Sequence, residues 1–234
     1  MGWIKLVATT MPRSSEAAEF RCTRQFESWA WRAGWRLVAG CDEAGRGALL
    51  GPLYAAAVIL DSATTIRGID DSKKLTPACR EELAIEIRAK AIAWQVVAIT
   101  AKEVDALNVY EASRQGMLRA LKALVPAPDY ILTDAMPLRE NGADFAIPHR
   151  SIIHGDARSV SIAAASILAK VARDEHLVKL HGLYPQYGLA SNKGYGTPEH
   201  LEALTRFGPC CEHRKTYQPV KDLLLPLFPF VPSA

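Results

Sequence analysis

Hydrophobic and polar positions along the chain follow two periods. WRLVAG (residues 35–40) and LYAAAVIL (53–60) are short apolar runs bounded by glycine or proline. They predict strands, the second one buried. Residues 94–100 and YILT (130–133) predict two more strands, and residues 151–153 a short fifth. Elsewhere the period is helical. Thr76-Pro77 supplies a cap and a first-turn proline for a helix to about residue 93, with Leu83, Ile87 and Ala91 on one side. Residues 110–124 space Met117, Leu118, Leu121 and Leu124 helically and stop before Pro126 and Pro128. Residues 159–181 read as one long helix, apolar nearly all round in its first half, which predicts a central, buried element. Shorter helices are predicted over 26–34, docked by Trp29, Trp31 and Trp35, and from Thr197-Pro198 to 207.

Strands first and alternating helices later predict an α/β domain with a mixed sheet. No linker interrupts the pattern, so the expected organisation is an N-terminal lead over 1–35, partly ordered, and a single catalytic domain over 36–234. The domain carries a helical C-terminal portion and ends in a proline-rich tail that wraps or frays. Met11 is an alternative start.

Composition narrows the class. The chain has 234 residues, 49% hydrophobic and 23% charged, as an ordinary globular protein does. Its apolar runs are too short for a membrane span. The first twenty residues do not form a secretory signal, so a cytoplasmic protein is expected. The five cysteines are odd in number and lack C-x-x-C spacing. They argue against a disulfide framework or a zinc cage and are expected to act mostly as small buried hydrophobes. The net charge of +3 is too small to indicate a polyanionic partner by itself. Basic residues do cluster over 71–74, 150–158 and 193–215.

Candidate chemistry lies with the acids. Asp42 and Glu43 close the first strand, Asp134 closes YILT, and Asp156 stands between the short strand and the long helix. Where strands run parallel, their ends collect on one edge. Gathered carboxylates repel, and a cation resolves the repulsion. An all-oxygen ligand set suits Mg²⁺ or Mn²⁺. A pair of such ions can hydrolyse a phosphodiester. Neighbours in a strand point to opposite faces, so Asp42 and Glu43 share a site only if the strand ends and bends there. Gly45 and Gly47 permit that bend. Singly, each acid has a plainer reading: Asp134 opens a turn before Pro137, and Asp156 caps the long helix or forms a local turn. The glycines also match part of a dinucleotide fingerprint, but Pro52 and a strand follow where that fingerprint needs a helix.

VAGCDEAGRG, GPLYAAAVIL, DDSKKLT, HGDARSVSIAAASILAKVARD, NKGYGT and EHRKTYQPV occur in that order over most of the chain. Together they resemble the bacterial ribonuclease HII family, the type 2 ribonucleases H. The resemblance implies a ribonuclease H-like fold, with a mixed five-stranded sheet flanked by helices and a helical C-terminal segment. It implies a metal-dependent endoribonuclease acting on RNA–DNA hybrids and on single ribonucleotides embedded in duplex DNA. The cut falls 5′ of the ribonucleotide, leaves 3′-hydroxyl and 5′-phosphate ends, and serves ribonucleotide excision repair and DNA replication. Asp42, Glu43, Asp134 and Asp156 match the metal-binding acids. Gly45, Arg46 and Gly47 match the motif that senses the ribose 2′-hydroxyl, the one group that separates RNA from DNA at a sugar. Tyr195 matches the tyrosine that stacks on the next sugar. Ser72, Lys73, Lys74, Arg158 and Lys193 are candidate phosphate contacts, though Ser72 equally suits a helix cap. Lys170 and Arg173 are expected as ordinary surface charges of a long helix, and His200 and His213 as hydrogen-bonding structural residues. A monomer is expected.

The chain departs from the family at Ala135 and Asn192, where glycine and histidine are usual, and residues 1–24 have no counterpart. A ribonuclease HIII would carry a larger N-terminal domain. A hybrid-binding module would not need the acids, and a generic two-metal nuclease would lack the glycine corner.

Overall fold

Four strands of the sheet run one way and one runs against them. In the computed structural model, β1 (Val38–Ala44), β4 (Tyr130–Asp134) and β7 (His149–Ile152) form the parallel part of a five-stranded sheet. β2 (Leu53–Leu60) pairs antiparallel with β1, and β3 (Ala91–Ile99) pairs antiparallel with β2 and so points the same way as β1, giving the order β3-β2-β1-β4-β7. The structure describes residues 20–224. The expectations for the lead before residue 20, Met11 included, and for the tail beyond residue 224 lie outside the described residues.

Alternation along β1 and β2 divides the core into two layers. Ala56, Val58 and Leu60 face α5 (Val160–Leu183) and α2 (Pro77–Lys90), in a layer filled by Ala163, Ala164, Ile167 and Leu168. Cys41, Ala55, Ala57 and Ile59 face α4 (Val109–Lys122), with Met117, Leu118 and Leu121. The long helix is the central one, as its pattern predicted. Its first turn presses so closely on β1 that a Cβ at Gly40 would overlap the Ser161 backbone, so that strand position admits only glycine. α1 (Gln25–Arg32) lies over the sheet through Phe26 and Ala30, which pack with Val38, Leu132, Ile152 and Ile162.

Several boundaries differ from the pattern. The first strand was expected over 35–40. It runs to Ala44 because Ala39–Ala44 pair residue by residue with Ile59–Tyr54, and that ladder carries the strand through two acids of poor β propensity. The third strand begins at Ala91, where the Leu60 pairing captures it. Among the features that went unforeseen are α3 (Ala101–Leu107), closed by a Thr100–Glu103 capping box; a small hairpin of β5 (Arg139–Glu140) and β6 (Ala143–Asp144); and the four-residue α6 (Leu189–Asn192). α7 (Pro198–Phe207) starts on Thr197 as expected, and α8 (Val220–Leu224) follows. Of the cysteines, only Cys41 is fully buried; Cys79 and Cys211 are exposed, which corrects the expectation for most of them. Among the described residues no helix is long and apolar enough to cross a membrane.

Candidate metal centre

β1 and β4 pair in parallel, as do β4 and β7, so their C-terminal ends share one edge. Asp42 and Glu43 stand near the end of β1, and Asp134 is the last residue of β4. Asp156 follows β7 in a single 3-10 turn, Gly155–Ala157. Carboxylate oxygens of Asp42, Asp134 and Asp156 all lie within 4.8 Å of one another.

Glu43 is placed differently. The strand continues through both acids, so they point to opposite faces. Asp42 pairs with Ala56 on the α5 side, and Glu43 with Ala55 on the α4 side. The expected bend therefore comes after Glu43, and Glu43 stays outside the three-acid cluster. Its carboxylate accepts from Arg46 Nη1 at 3.2 Å, while Oε2 is buried without a hydrogen-bond partner.

Backbone amides orient the cluster. Asp42 Oδ1 accepts from Glu43 N at 2.7 Å, Asp134 Oδ1 from Gly155 N at 2.7 Å, and Asp156 Oδ1 from Ala157 N at 3.0 Å. Lys73 Nζ donates to Asp156 Oδ2 at 2.8 Å. These bonds do not offset burial. Burial, with Glu43 and Asp134 nearby, holds the Asp42 carboxyl well above the usual range. Burial raises Glu43 to about 7 against the opposing pull of Arg46, and burial also raises Asp134. A buried set of oxygen donors, short of positive charge and with one oxygen left over, fits a hard divalent cation.

Asp42, Glu43, Asp134, Gly45, Arg46, Gly47, Ser72, Lys73 and Tyr195 line one cleft of about 350 Å³. Ser72 is buried and bonds Ser166 Oγ at 3.0 Å, while Thr76 caps α2, so the helix-cap alternative for Ser72 fails. Lys193 lies in an adjoining groove, its Nζ donating to Ala190 O. The structure does not bring Arg158 to the cleft. Its guanidinium covers Phe20 and Phe26 and donates to Ile153 O.

Arg173 overturns the expectation of a surface charge. It is fully buried and donates to the carbonyls of Leu50 (3.2 Å), Pro52 (3.0 Å) and Lys193 (2.9 Å), with Tyr195 stacked 5.2 Å away. Arg214, also buried, donates to Gly51 O and to Arg46 O, and Tyr217 Oη donates to Arg46 O. Two buried guanidiniums thus join the glycine corner to the Tyr195 loop. His200 and His213 are buried and hydrogen-bonded, as expected: His200 Nδ1 meets Tyr195 O and its Nε2 meets His213 Nε2. Sequence reasoning missed Ser166, Arg80 and Arg214 as parts of this site. Arg80 donates to Ser72 O and Leu75 O and so shapes the Lys73 loop. Arg214 and Ser166 carried a signal, through their places in EHRKTYQPV and HGDARSVSIAAASILAKVARD; Arg80 carried none.

The two glycines of the corner differ. Gly45 has φ +92° and packs against Arg173, so both its conformation and its neighbour require glycine. Gly47 has nothing within 4 Å of a Cβ position, so no internal contact explains it. Ala135 stands at φ +47°, the left-handed conformation that the family's usual glycine adopts freely.

Acids collected on the parallel edge of a mixed sheet, above a cleft with basic side chains, define a metal-dependent hydrolase of phosphodiesters. A model of ribonuclease HII matches residues 39–219. A ribonuclease HII of Solibacter usitatus is 50% identical over 203 residues, 87% of each chain, and one of Geobacillus kaustophilus is 48% identical over 200 residues, covering 86% of this chain and 75% of that one. Among solved structures, ribonuclease H2 of Pyrococcus horikoshii aligns with a TM-score of 0.68 at 29% identity, covering 80% of this chain and 96% of that one. Bst-RNase HIII, solved in complex with Mn²⁺, aligns at 0.65 with 20% identity over 83% and 71% of the two chains, a likeness of fold alone. The chain belongs to the ribonuclease HII family and is a metal-dependent endoribonuclease that cleaves the RNA strand of RNA–DNA hybrids.

Proposed function

We propose that the enzyme also nicks duplex DNA 5′ of a single embedded ribonucleotide, leaving a 3′-hydroxyl and a 5′-phosphate. The observation that carries this reading is the cleft itself, which joins the acid cluster to Gly45–Gly47 and Tyr195. Asp42, Asp134 and Asp156, with Glu43 at their side, would hold Mg²⁺ or Mn²⁺, two ions during the reaction. When bound, the ions activate the attacking water and stabilise the leaving oxygen.

The remaining groups select and position. The backbone at Gly45 and Gly47 meets the 2′-hydroxyl, since no side chain at Gly47 blocks approach. Tyr195, steadied by Arg173, lies against the next deoxyribose and rejects a second hydroxyl there. Arg46 and Lys73, both exposed at the cleft, bind flanking phosphates, Ser72 steadies the loop beneath Lys73, and Lys193 extends the phosphate track along the adjoining groove. Arg158 stays with its aromatic partners. The enzyme works as a cytoplasmic monomer in ribonucleotide excision repair and DNA replication.

A duplex carrying one ribonucleotide tests the reading. Nicking in Mg²⁺ or Mn²⁺, abolished by EDTA, is expected, with all-DNA duplex left intact. Tyr195→Ala lowers single-ribonucleotide nicking more than it lowers stability. Binding without nicking under either metal, or equal cutting of all-DNA duplex, refutes it.

A further inference from the structure

Glu27 is a carboxylate inside the protein, 2% exposed, on a helix that precedes the family-matched region. Its Oε1 accepts from Ser159 Oγ at 2.5 Å, from Ser161 N at 2.9 Å and from Ser161 Oγ. Its Oε2 is buried and meets no hydrogen-bond partner. Burying an acid with one oxygen unsatisfied costs stability, so its placement calls for a role.

What it grips is the segment that presents Asp156. Ser159 is the N-cap of α5, accepting from Ile162 N, and stands three residues after Asp156. The same segment is held a second time. Thr23 N donates to Arg158 O, and Val160 N donates to Thr23 O, both at 3.2 Å, as a short parallel bridge. The stacking of Phe20 on His154 at 5.4 Å and of Phe20 and Phe26 under Arg158 closes the grip from the other side. His154, just before Gly155, sits at φ +55°, a conformation that needs its surroundings to hold it. The negative charge of Glu27 also faces the positive end of a 24-residue helix, which favours a carboxylate over an apolar group there.

We propose that Glu27 is a positioning residue of the metal centre: it clamps α1 onto the start of α5 and thereby fixes Asp156 against Asp42 and Asp134. The inference rests on the reading of those three acids as the cation ligands. Groups hydrogen-bonded directly to a metal ligand typically change metal affinity by about 10–100-fold when removed, and Glu27, one step further out through Ser159 and Ser161, is expected at the lower end of that range.

The test measures Mn²⁺ binding by the intact enzyme, by electron paramagnetic resonance or calorimetry, beside the Mg²⁺ dependence of hybrid cleavage. Glu27→Ala is expected to weaken Mn²⁺ binding about tenfold and to raise the Mg²⁺ concentration for half-maximal rate equally. The rate at saturating Mg²⁺ stays within about threefold of the wild type. Glu27→Gln, which keeps the acceptor oxygen, recovers most of the affinity. Leu118→Ala, in the layer on the far side of the sheet, loses stability without changing Mn²⁺ affinity. Unchanged Mn²⁺ affinity in Glu27→Ala, or an equal loss in Leu118→Ala, overturns the proposal. A Glu27→Gln variant as weak as Glu27→Ala overturns it too. Should Glu27→Ala not fold, Ser161→Ala carries the test: a weakening of about threefold supports the clamp, and no change refutes it. Asp156→Asn separates the two levels. If it leaves Mn²⁺ binding intact, the metal-centre reading itself is wrong; if it weakens binding while Glu27→Ala does not, only the clamp is.

Discussion

Replacing Gly45 by alanine probes how the glycine corner is held. At φ +92° an alanine is strained by about 1–2 kcal/mol, offset by about 0.4–1 kcal/mol of lost unfolded-state freedom. The new Cβ would also lie 2.5 Å from Arg173 Cδ and 2.9 Å from its Cζ. A free arginine would swing aside. This one is pinned by three carbonyls, and surrendering one charge-assisted bond costs roughly 1.5–3 kcal/mol. Gly45→Ala is therefore expected to destabilise by about 2–4 kcal/mol in urea unfolding at unchanged m value. A double-mutant cycle with Arg173→Ala divides the sum. Without the guanidinium only the backbone strain remains, about 1 kcal/mol, so the coupling is about 1.5–3 kcal/mol. Additivity within about 0.5 kcal/mol refutes the clash and leaves φ as the sole reason for this glycine.

Three other outcomes are expected. Asp42→Asn abolishes cleavage but keeps hybrid binding; without metal the variant is at least as stable as the wild type, because a buried, repelled charge is gone, and Mg²⁺ adds less to its Tm. Glu43 titrates at about 7 in the fold against 4.5 unfolded, so the metal-free protein binds the extra proton when folded and loses on the order of 3 kcal/mol as pH rises from about 4.5 to 7. His213, pushed down to about 4 by burial and His200, acts in the opposite sense over the same window, so the reading to take is the Tm difference between Mg²⁺ and EDTA; it grows with pH across this range, and a flat difference refutes the account. Ala135→Gly removes left-handed strain of about 1–2 kcal/mol at an entropic loss of roughly 0.5–1 kcal/mol, so the Tm rises slightly; a fall of several degrees shows that Ala135 is not strained.

Much of the site was legible because its residues are contiguous in short stretches. Asp42, Glu43 and the glycines that follow adjoin an apolar run, and a parallel edge is where such strand ends meet. The split between Asp42 and Glu43 was not legible. It depends on how far the β1–β2 ladder runs, and the pairing decides that, not the acids' own propensities. Arg173 was misread for a related reason. Along a helix it looks like any charge that surfaces, and only the folding of Leu50, Pro52 and Lys193 around it supplies three acceptors. Glu27 gave no signal at all, since its partners lie 132 and 134 residues away.

By itself the chain's pattern of apolar periods determined the α/β class and the buried central helix, because these depend on local spacing, and its ordered motifs carried the resemblance to the family. Tertiary structure alone decided which acids lie within 4.8 Å of one another, which arginines are interior and which segment contacts the start of α5. Those outcomes depend on what surrounds each charge. Burial and partner geometry set the energy of a charged group, and neither is a property of its neighbours in sequence.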